Sequence, residues 1–154
     1  MGTEVIETSF MQLALVEAEA AARRGEVPVG AVLVDGPSGT VLAKAGNRTE
    51  QDNDPTAHAE ILVIRQAAAS KGSPRLEGCD LYVTLEPCAM CATAISFARI
   101  RRLYFGAYDA KGGGVDHGAR IYDRATCHHR PDVIGGVEET AAGDLLKEFF
   151  GQRR

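Results

Sequence analysis

The sequence predicts a three-layer α/β domain, in which one β-sheet lies between two layers of helices. Segments with the 3-4 apolar spacing of helices alternate with short, β-branched apolar runs, and this alternation is typical of α/β folds. A length of 154 residues suits one domain and leaves no room for a second. Apolar residues make up 45% of the chain and charged residues 25%, as in most globular proteins. We therefore expect residues 1–154 to form a single domain.

The N-terminal third predicts a helix followed by a β-hairpin. Residues 9–24 have helical spacing, and Ser9 and Gln12 match a capping box at the start of the helix. The apolar run at 27–34 and the extended pattern at 40–45 flank the segment Asp-Gly-Pro-Ser-Gly, whose residues favour a turn. These segments therefore predict one helix and two paired strands.

The rest of the chain continues the same alternation. The predicted elements are a polar loop at 48–56, a helix at 57–70, a strand at 80–85, a helix at 87–98, a strand at 101–106, a glycine-rich stretch at 111–114, a short strand at 132–137 and a helix at 138–150. The spacing places Ile61, Ile64 and Ala68 on the apolar face of the helix at 57–70. Pro87 opens the next helix, in the first turn, where proline is best tolerated.

The net charge argues against a broad polyanion-binding surface. Lys and Arg number 17 against 21 Asp and Glu, for a net charge of −4, whereas extensive phosphate contact requires clustered basic residues. A nucleic-acid site must therefore be a local patch. The two candidate patches are Arg99, Arg101 and Arg102, and the tail residues Lys147, Arg153 and Arg154. Both clusters also fit an ordinary solvated surface.

The sequence carries no signal for a membrane or for export. No apolar run reaches the ~20 residues that a bilayer span requires. Residues 1–10 contain two glutamates and no basic residue, unlike a secretory signal. We therefore expect a cytoplasmic protein, and in a reducing compartment the four cysteines do not imply disulfides.

Two short motifs carry the candidate chemistry: His58-Ala59-Glu60, and Pro87-Cys88-Ala89-Met90-Cys91. Cys88 and Cys91 are three residues apart, so on a helical turn their side chains share one face. The partial positive charge of a helix N-terminus favours thiolates and therefore metal binding. With a neutral imidazole from His58 they make a zinc ligand set, which leaves the fourth position open for water.

Glu60 is the informative partner of this ligand set. It follows His58 by two residues, about 200° around an ideal helix, so both can approach one metal-bound water only at the start of the helix. There Glu60 would take a proton from that water and pass it to a reacting group of the substrate. Glu60 should not be a ligand itself, because it would then occupy the position of the nucleophile.

Two other interpretations of the cysteine pair stay open. A structural zinc site would need a fourth ligand, which Cys127, His128 or His129 could supply. A thiol-disulfide oxidoreductase would use Cys88 and Cys91 as a redox pair without metal, although such a pair normally follows the first strand of the fold.

The two motifs together resemble the signature of the zinc nucleobase deaminases, His-x-Glu followed by Pro-Cys-x-x-Cys. Five further blocks resemble the bacterial tRNA adenosine deaminases of the TadA group, as does the ending Phe-Phe followed by Arg-Arg. These blocks are residues 26–32, 54–60, 81–88, 105–107 and 109–111. The resemblance covers nearly the whole chain.

This resemblance implies a cytidine-deaminase-like sandwich with a five-stranded mixed sheet. It implies one Zn²⁺ per subunit, held by His58, Cys88 and Cys91, with Glu60 as the proton shuttle. It further implies a homodimer that binds a tRNA anticodon stem-loop and converts adenosine to inosine at the wobble position. The alternatives are a zinc deaminase of a free base or nucleoside such as guanine, cytosine or cytidine, and a non-catalytic, zinc-stabilised RNA-binding module.

The resemblance also implies a set of substrate contacts. Asn47 would hydrogen-bond the flipped purine, Asp109 would lie near the nucleotide backbone, and the terminal helix with its phenylalanines and arginines would meet the anticodon loop. The expected substrate-binding residues are Asn47, Ala59, Pro87, Asp109, Phe149 and Arg153. Structural roles compete with three of these: Asn47 as a cap, Asp109 as a turn residue, and Phe149 or its neighbour Phe150 as a core anchor.

Overall fold

The fold consists of four α-helices and five β-strands within residues 9–152, which are the residues described by this computed structural model. In chain order the elements are α1 (Phe10–Arg23), β1 (Gly30–Asp35), β2 (Val41–Gly46), α2 (Ala59–Lys71), β3 (Cys79–Leu85), α3 (Ala89–Phe97), β4 (Arg102–Ala107), β5 (Asp132–Ile134) and α4 (Glu139–Gln152). A single 3₁₀ turn, Ile121–Asp123, lies between β4 and β5.

The strands form one mixed sheet in the order β2-β1-β3-β4-β5. β1 is antiparallel to both β2 and β3, whereas β3, β4 and β5 run parallel. Leu85 pairs with Ala107, and Ala31 pairs with Val83, so the C-terminal ends of β3 and β4 and the start of β1 lie together. We call this the upper end of the sheet, and both sequence motifs follow or face it.

The helices cover the sheet on both faces, which confirms the predicted three-layer architecture. Alternate side chains of β1 point to opposite faces. Ala31 and Leu33 belong to the main core, together with buried residues of α2 and α3. Val32 and Val34 pack instead against α1, for example against Met11. α4 packs beside α1 and over β4. The two helices that carry the motifs, α2 and α3, lie together on the other face of the sheet.

The start of α1 is built as predicted. Ser9 is the N-cap, and its hydroxyl accepts a hydrogen bond of 3.1 Å from the Gln12 N–H. The Gln12 side chain accepts one of 3.0 Å from the Ser9 N–H in return. This reciprocal pair satisfies two N–H groups that a helix start otherwise leaves unpaired.

Two helices begin later than the sequence predicts. α2 begins at Ala59 rather than at residue 57, and α3 begins at Ala89 rather than at residue 87. The reason is the same in both: His58 and Cys88 are N-caps with extended backbone. Pro87 therefore precedes the cap and does not lie in the first turn.

The apolar face of α2 was also predicted incorrectly. Its buried apolar residues are Ala59, Val63 and Ala67, whereas Ile64 and Ala68 are only partly buried. Ile64 and Ala68 still pack against the main core, and the fully buried face lies one position earlier, at Val63 and Ala67. Apolar residues lie on several sides of α2, so their pattern alone does not select the buried side.

Two arginines of the first basic patch, Arg99 and Arg101, line one open pocket. Arg101 makes a paired salt bridge to Asp80, with N–O distances of 3.0 and 2.8 Å. Asp80 pairs with Arg102 at the start of β3 and β4, so these arginines lie at the end of the sheet opposite the two motifs.

Within residues 9–152, no helix is both long and apolar enough to cross a membrane.

Two glycines offer a direct test of the packing of α1 on the sheet. An added Cβ at Gly30 would overlap the Ala14 carbonyl oxygen and lie 2.5 Å from the Ala18 nitrogen, whereas at Gly143 in α4 it would meet nothing within 4 Å. We expect Gly30→Ala to lower the free energy of unfolding by about 3 kcal/mol. Gly143→Ala should raise it by about 0.5–1 kcal/mol, because alanine favours the helix. Urea denaturation measures both, and equal effects would contradict this packing.

Candidate active site

The structure brings the two motifs together at the upper end of the sheet. His58 caps α2, Cys88 caps α3, and Cys91 is the third residue of α3. The His58 Nδ1 lies 3.5 Å from the Cys91 Sγ and 3.7 Å from the Cys88 Sγ. The three ligand atoms all lie within 4.8 Å of one another.

This spacing fits a tetrahedral metal centre. Zinc–sulfur bonds of about 2.3 Å and zinc–nitrogen bonds of about 2.0 Å, at tetrahedral angles, separate sulfur from nitrogen by about 3.5 Å. The distances of 3.5 and 3.7 Å from His58 Nδ1 to the two sulfurs are close to that value. Two thiols and an imidazole are also a donor set that zinc prefers.

No fourth protein ligand joins the set among residues 9–152. The Cys127 thiol donates a hydrogen bond to the His129 carbonyl, and the His129 ring donates one of 2.7 Å to the Ile100 carbonyl. Cys127 and His129 therefore brace the segment before β5 against α3 and β4. The structural zinc site with a ligand from this segment was a wrong alternative, since a three-ligand site retains an open position.

Hydrogen bonding shifts the pKa values of the two cysteines in opposite directions. The hydrogen bond from the Cys91 thiol, together with that from the His58 ring, lowers the pKa of Cys88 to about 4 despite its burial. The same hydrogen bond, followed by burial, raises the pKa of Cys91. The hydrogen bond to Cys88 likewise raises the pKa of His58. Both cysteines belong to the first turn of α3, where the backbone N–H groups favour negative charge.

Glu60 lies beside the ligand set without joining it. Its residue is only 4% exposed, and it is the second residue of α2. Burial raises the pKa of Glu60 to about 7, and a hydrogen bond from its own backbone N–H, followed by the nearby His58 ring, partly opposes this. A carboxyl group with a pKa near neutrality can both accept and donate a proton at physiological pH.

Asn47 supports the start of α2 from the end of β2. Its Oδ1 accepts a hydrogen bond of 2.8 Å from the Ala59 N–H. His58 makes no such bond, although it is the N-cap, because its ring is turned to the thiols. Since Oδ1 must accept from the amide N–H, the donor Nδ2 of Asn47 is the atom left for another partner. Asn47 therefore has the capping role that the sequence left open, and the helix that it caps is α2.

Ala59 and Pro87 lie inside the site's supporting structure. Ala59 has 0% exposure, and its N–H is bound to Asn47. Pro87 is buried, and its carbonyl accepts a hydrogen bond of 2.8 Å from the Gly114 N–H. In the structure, Ala59 and Pro87 hold neighbouring residues in place through these hydrogen bonds. Their contact with substrate stays a prediction.

Asp109 and Phe149 both have the structural roles that the sequence left open. The Asp109 carboxylate accepts hydrogen bonds from the Lys111 and Gly112 N–H groups, at 3.1 and 2.9 Å, and so closes a turn. Phe149 is 8% exposed and is the core anchor of α4, whereas Phe150 is 49% exposed. Arg153 lies outside the described residues.

Glu86 is a functional candidate that the sequence did not single out. Its side chain is fully buried, and its carboxylate accepts hydrogen bonds from the loop that follows β4. These hydrogen bonds outweigh burial and lower the pKa of Glu86. The sequence signal that could have indicated a role for Glu86 is its place directly before the Pro-Cys motif, at the end of an apolar strand. The sequence alone does not show which loop would reach it.

Residues 5–107 match the family model for the cytidine and deoxycytidylate deaminase zinc-binding region, which is about two thirds of the chain. The chain belongs to this deaminase family. In this family context, the residues His58, Cys88 and Cys91 constitute a zinc site.

Individual deaminases are similar over nearly the full length. The tRNA-specific adenosine deaminase of Agrobacterium fabrum is 59% identical over 147 residues, which cover 96% of this chain and 95% of the relative. A solved structure from work on A-to-I editing by tRNA:A34 deaminases at the wobble position is 60% identical, with a TM-score of 0.88, and covers 91% of this chain and 100% of its own. This likeness confirms the cytidine-deaminase-like fold.

A guanine deaminase structure from Nitrosomonas europaea shares the fold at lower identity. It is 24% identical with a TM-score of 0.80, and the match covers 92% of this chain and 83% of that one. At this identity the likeness shows the fold alone. The tRNA-specific adenosine deaminase of Agrobacterium fabrum is thus more similar to this chain in sequence than this guanine deaminase is.

Proposed function

We propose that this chain is a zinc-dependent hydrolytic deaminase that converts adenosine to inosine at the wobble position of a tRNA anticodon. The observation that carries the proposal is the buried Glu60 carboxyl beside a three-ligand metal set. The relatives named tRNA-specific adenosine deaminase support the choice of substrate. The joined sheet and its two helical layers support one domain over residues 1–154.

The reaction adds water to adenosine and releases ammonia, so protons must move within the site. When bound, zinc lowers the pKa of a coordinated water and supplies a nucleophile at neutral pH. His58, Cys88 and Cys91 hold the metal. The Glu60 carboxylate accepts a proton from the attacking water and delivers it to the purine ring nitrogen, and it then accepts the second proton of that water and delivers it to the amino nitrogen that leaves. Its burial keeps its pKa in the range where both transfers are possible.

The remaining residues serve the substrate. The Asn47 Nδ2 donates to an acceptor nitrogen of the flipped purine, and Asp109 lies near the nucleotide backbone. Phe149 positions α4, whose exposed Phe150 meets the anticodon loop, and Arg153, which follows α4 in the sequence, contacts the same loop. Recognition of unstacked loop bases needs few cationic contacts, which agrees with the net charge of −4. A tRNA substrate supports the expected cytoplasmic location.

We also propose a homodimer. On the outer face of α3 the Phe97 side chain is 76% exposed, and Met90 is 36% exposed. Beside Phe97 lies an open groove of about 440 Å³, formed by α3 and the segment 121–128. Large exposed apolar side chains next to a groove are typical of protein interfaces. Light scattering on the purified protein measures the oligomeric state.

Mass spectrometry of treated RNA tests the proposed function. The protein should convert adenosine to inosine in an anticodon stem-loop with adenosine at the wobble position. A matched stem-loop with guanosine there should stay unchanged. Free adenine, guanine, cytosine and cytidine are incubated in parallel. Turnover of a free base without turnover of the stem-loop would assign the activity to the other branch of the family.

Asn47 provides a test that separates helix capping from substrate binding. Asn47→Ala should lower the free energy of unfolding by about 1 kcal/mol, because α2 loses its cap. Asn47→Asp keeps the acceptor oxygen but has no amide donor, so it should retain more of the stability and still lose activity. Urea denaturation and stem-loop deamination measure the two effects. Full activity of Asn47→Asp would contradict a substrate contact through Nδ2.

A further inference from the structure

One buried carboxylate organises the whole loop after β4. Glu86 Oε1 accepts hydrogen bonds from the Asp109 N–H at 3.0 Å and from the His117 ring at 2.8 Å. Glu86 Oε2 accepts from the backbone N–H groups of Val115, Asp116 and His117, at 3.2, 2.9 and 3.0 Å. The carboxylate thus holds both ends of segment 109–117, which we call the 109–117 loop.

The same loop touches the backbone of the metal-binding helix start. The Gly114 N–H donates to the Pro87 carbonyl at 2.8 Å. An added Cβ at Gly114 would lie 2.5 Å from the Ala89 nitrogen and 2.8 Å from the Cys88 carbonyl carbon. The loop backbone therefore lies directly on the peptide that follows Cys88, and only glycine permits this approach.

We propose that Glu86 is a positioning residue that holds the 109–117 loop in register with the metal-binding start of α3. This inference rests on the proposed function, because the loop begins at Asp109, the expected neighbour of the nucleotide backbone. With Glu86 in place the loop is ordered before RNA arrives. Without it, ordering the loop would oppose binding, so the affinity for RNA would fall more than the chemical step.

Glu86→Gln tests the proposal with little change in volume. The amide retains one acceptor oxygen but turns two donors toward N–H groups that need acceptors. We expect the KM for the anticodon stem-loop to rise about tenfold, the kcat to change less than about threefold, and zinc to stay bound. Amide hydrogen exchange should become faster in residues 115–117. Asp116→Asn is the matched control, since it removes the same charge from an exposed position in the same loop.

The outcomes separate this proposal from others. An unchanged KM in Glu86→Gln overturns it, whether or not kcat falls. An equal rise of KM in Asp116→Asn also overturns it, because the loss of a negative charge would then be the cause. Should Glu86→Gln fail to fold, His117→Ala decides the question, because it removes only the ring donor. Faster amide hydrogen exchange in the 109–117 loop and a higher KM support the proposal. Wild-type values of both overturn it. A wild-type enzyme that leaves the stem-loop unchanged contradicts the proposed function, and the exchange data still report whether Glu86 holds the loop.

Discussion

Replacement of Glu60 by glutamine is expected to lower the kcat for stem-loop deamination by about 10³-fold, because the variant cannot accept or deliver a proton. Glutamine preserves the volume of this buried side chain, so the fold should persist. Glu60 is not one of the three ligands, and therefore the zinc content should stay at that of the wild type. Stopped-time assays give kcat, and atomic absorption gives the zinc content of the same sample.

Glu77→Gln is the control for this substitution. Glu77 is exposed and precedes β3, at the end of the sheet opposite the site. Its replacement should leave kcat, KM and zinc content unchanged. Retention of more than about a tenth of the wild-type kcat by Glu60→Gln would refute the role of proton shuttle, since positioned acid–base groups contribute about 10²-fold or more.

Replacement of Cys91 by alanine should remove the zinc and abolish the activity. Two protein ligands do not complete a zinc site, which needs three ligands when a fourth position is open. We expect the kcat to fall by at least about 10³-fold, since the metal supplies several kcal/mol of transition-state stabilisation. The zinc content should fall with the activity, and thermal unfolding should no longer respond to a chelator.

Cys127→Ala distinguishes a ligand from any other cysteine. Cys127 lies near Ser96 and the His129 carbonyl, and it does not belong to the three-residue set. This variant should keep its zinc and its activity, with at most a small loss of stability. Loss of zinc from Cys127→Ala would restore the alternative of a four-ligand structural site.

The elements with strong local signals could be predicted from the sequence. The capping box at Ser9, the hairpin and the long helices depend on neighbouring residues, and all were predicted correctly in type and order. The zinc ligand set could be predicted because Cys88 and Cys91 share one helical turn. His58 is thirty residues earlier in the chain than Cys88. It was predicted as the third ligand from the His-Ala-Glu motif rather than from periodicity.

The errors occurred where tertiary contacts decide the local structure. His58 and Cys88 occupy the N-cap positions with extended backbone and direct their side chains to the site, so α2 and α3 begin one residue after them. The glycine-rich loop after β4 has no periodicity, and its conformation depends on the distant carboxylate of Glu86. No sequence signal reports such a contact, since its partners are about thirty residues apart.

The position of the ligands on two helix starts has a consequence for the effect of ionic strength. Among the described residues, burial, hydrogen bonds and the neighbouring members of the site are the main causes of the shifts in the pKa values of Glu60, Cys88 and Cys91. These contacts are short and lie inside the protein, where mobile ions screen charges only weakly. Added salt weakens the encounter with a polyanionic substrate and leaves the turnover of bound substrate unaffected.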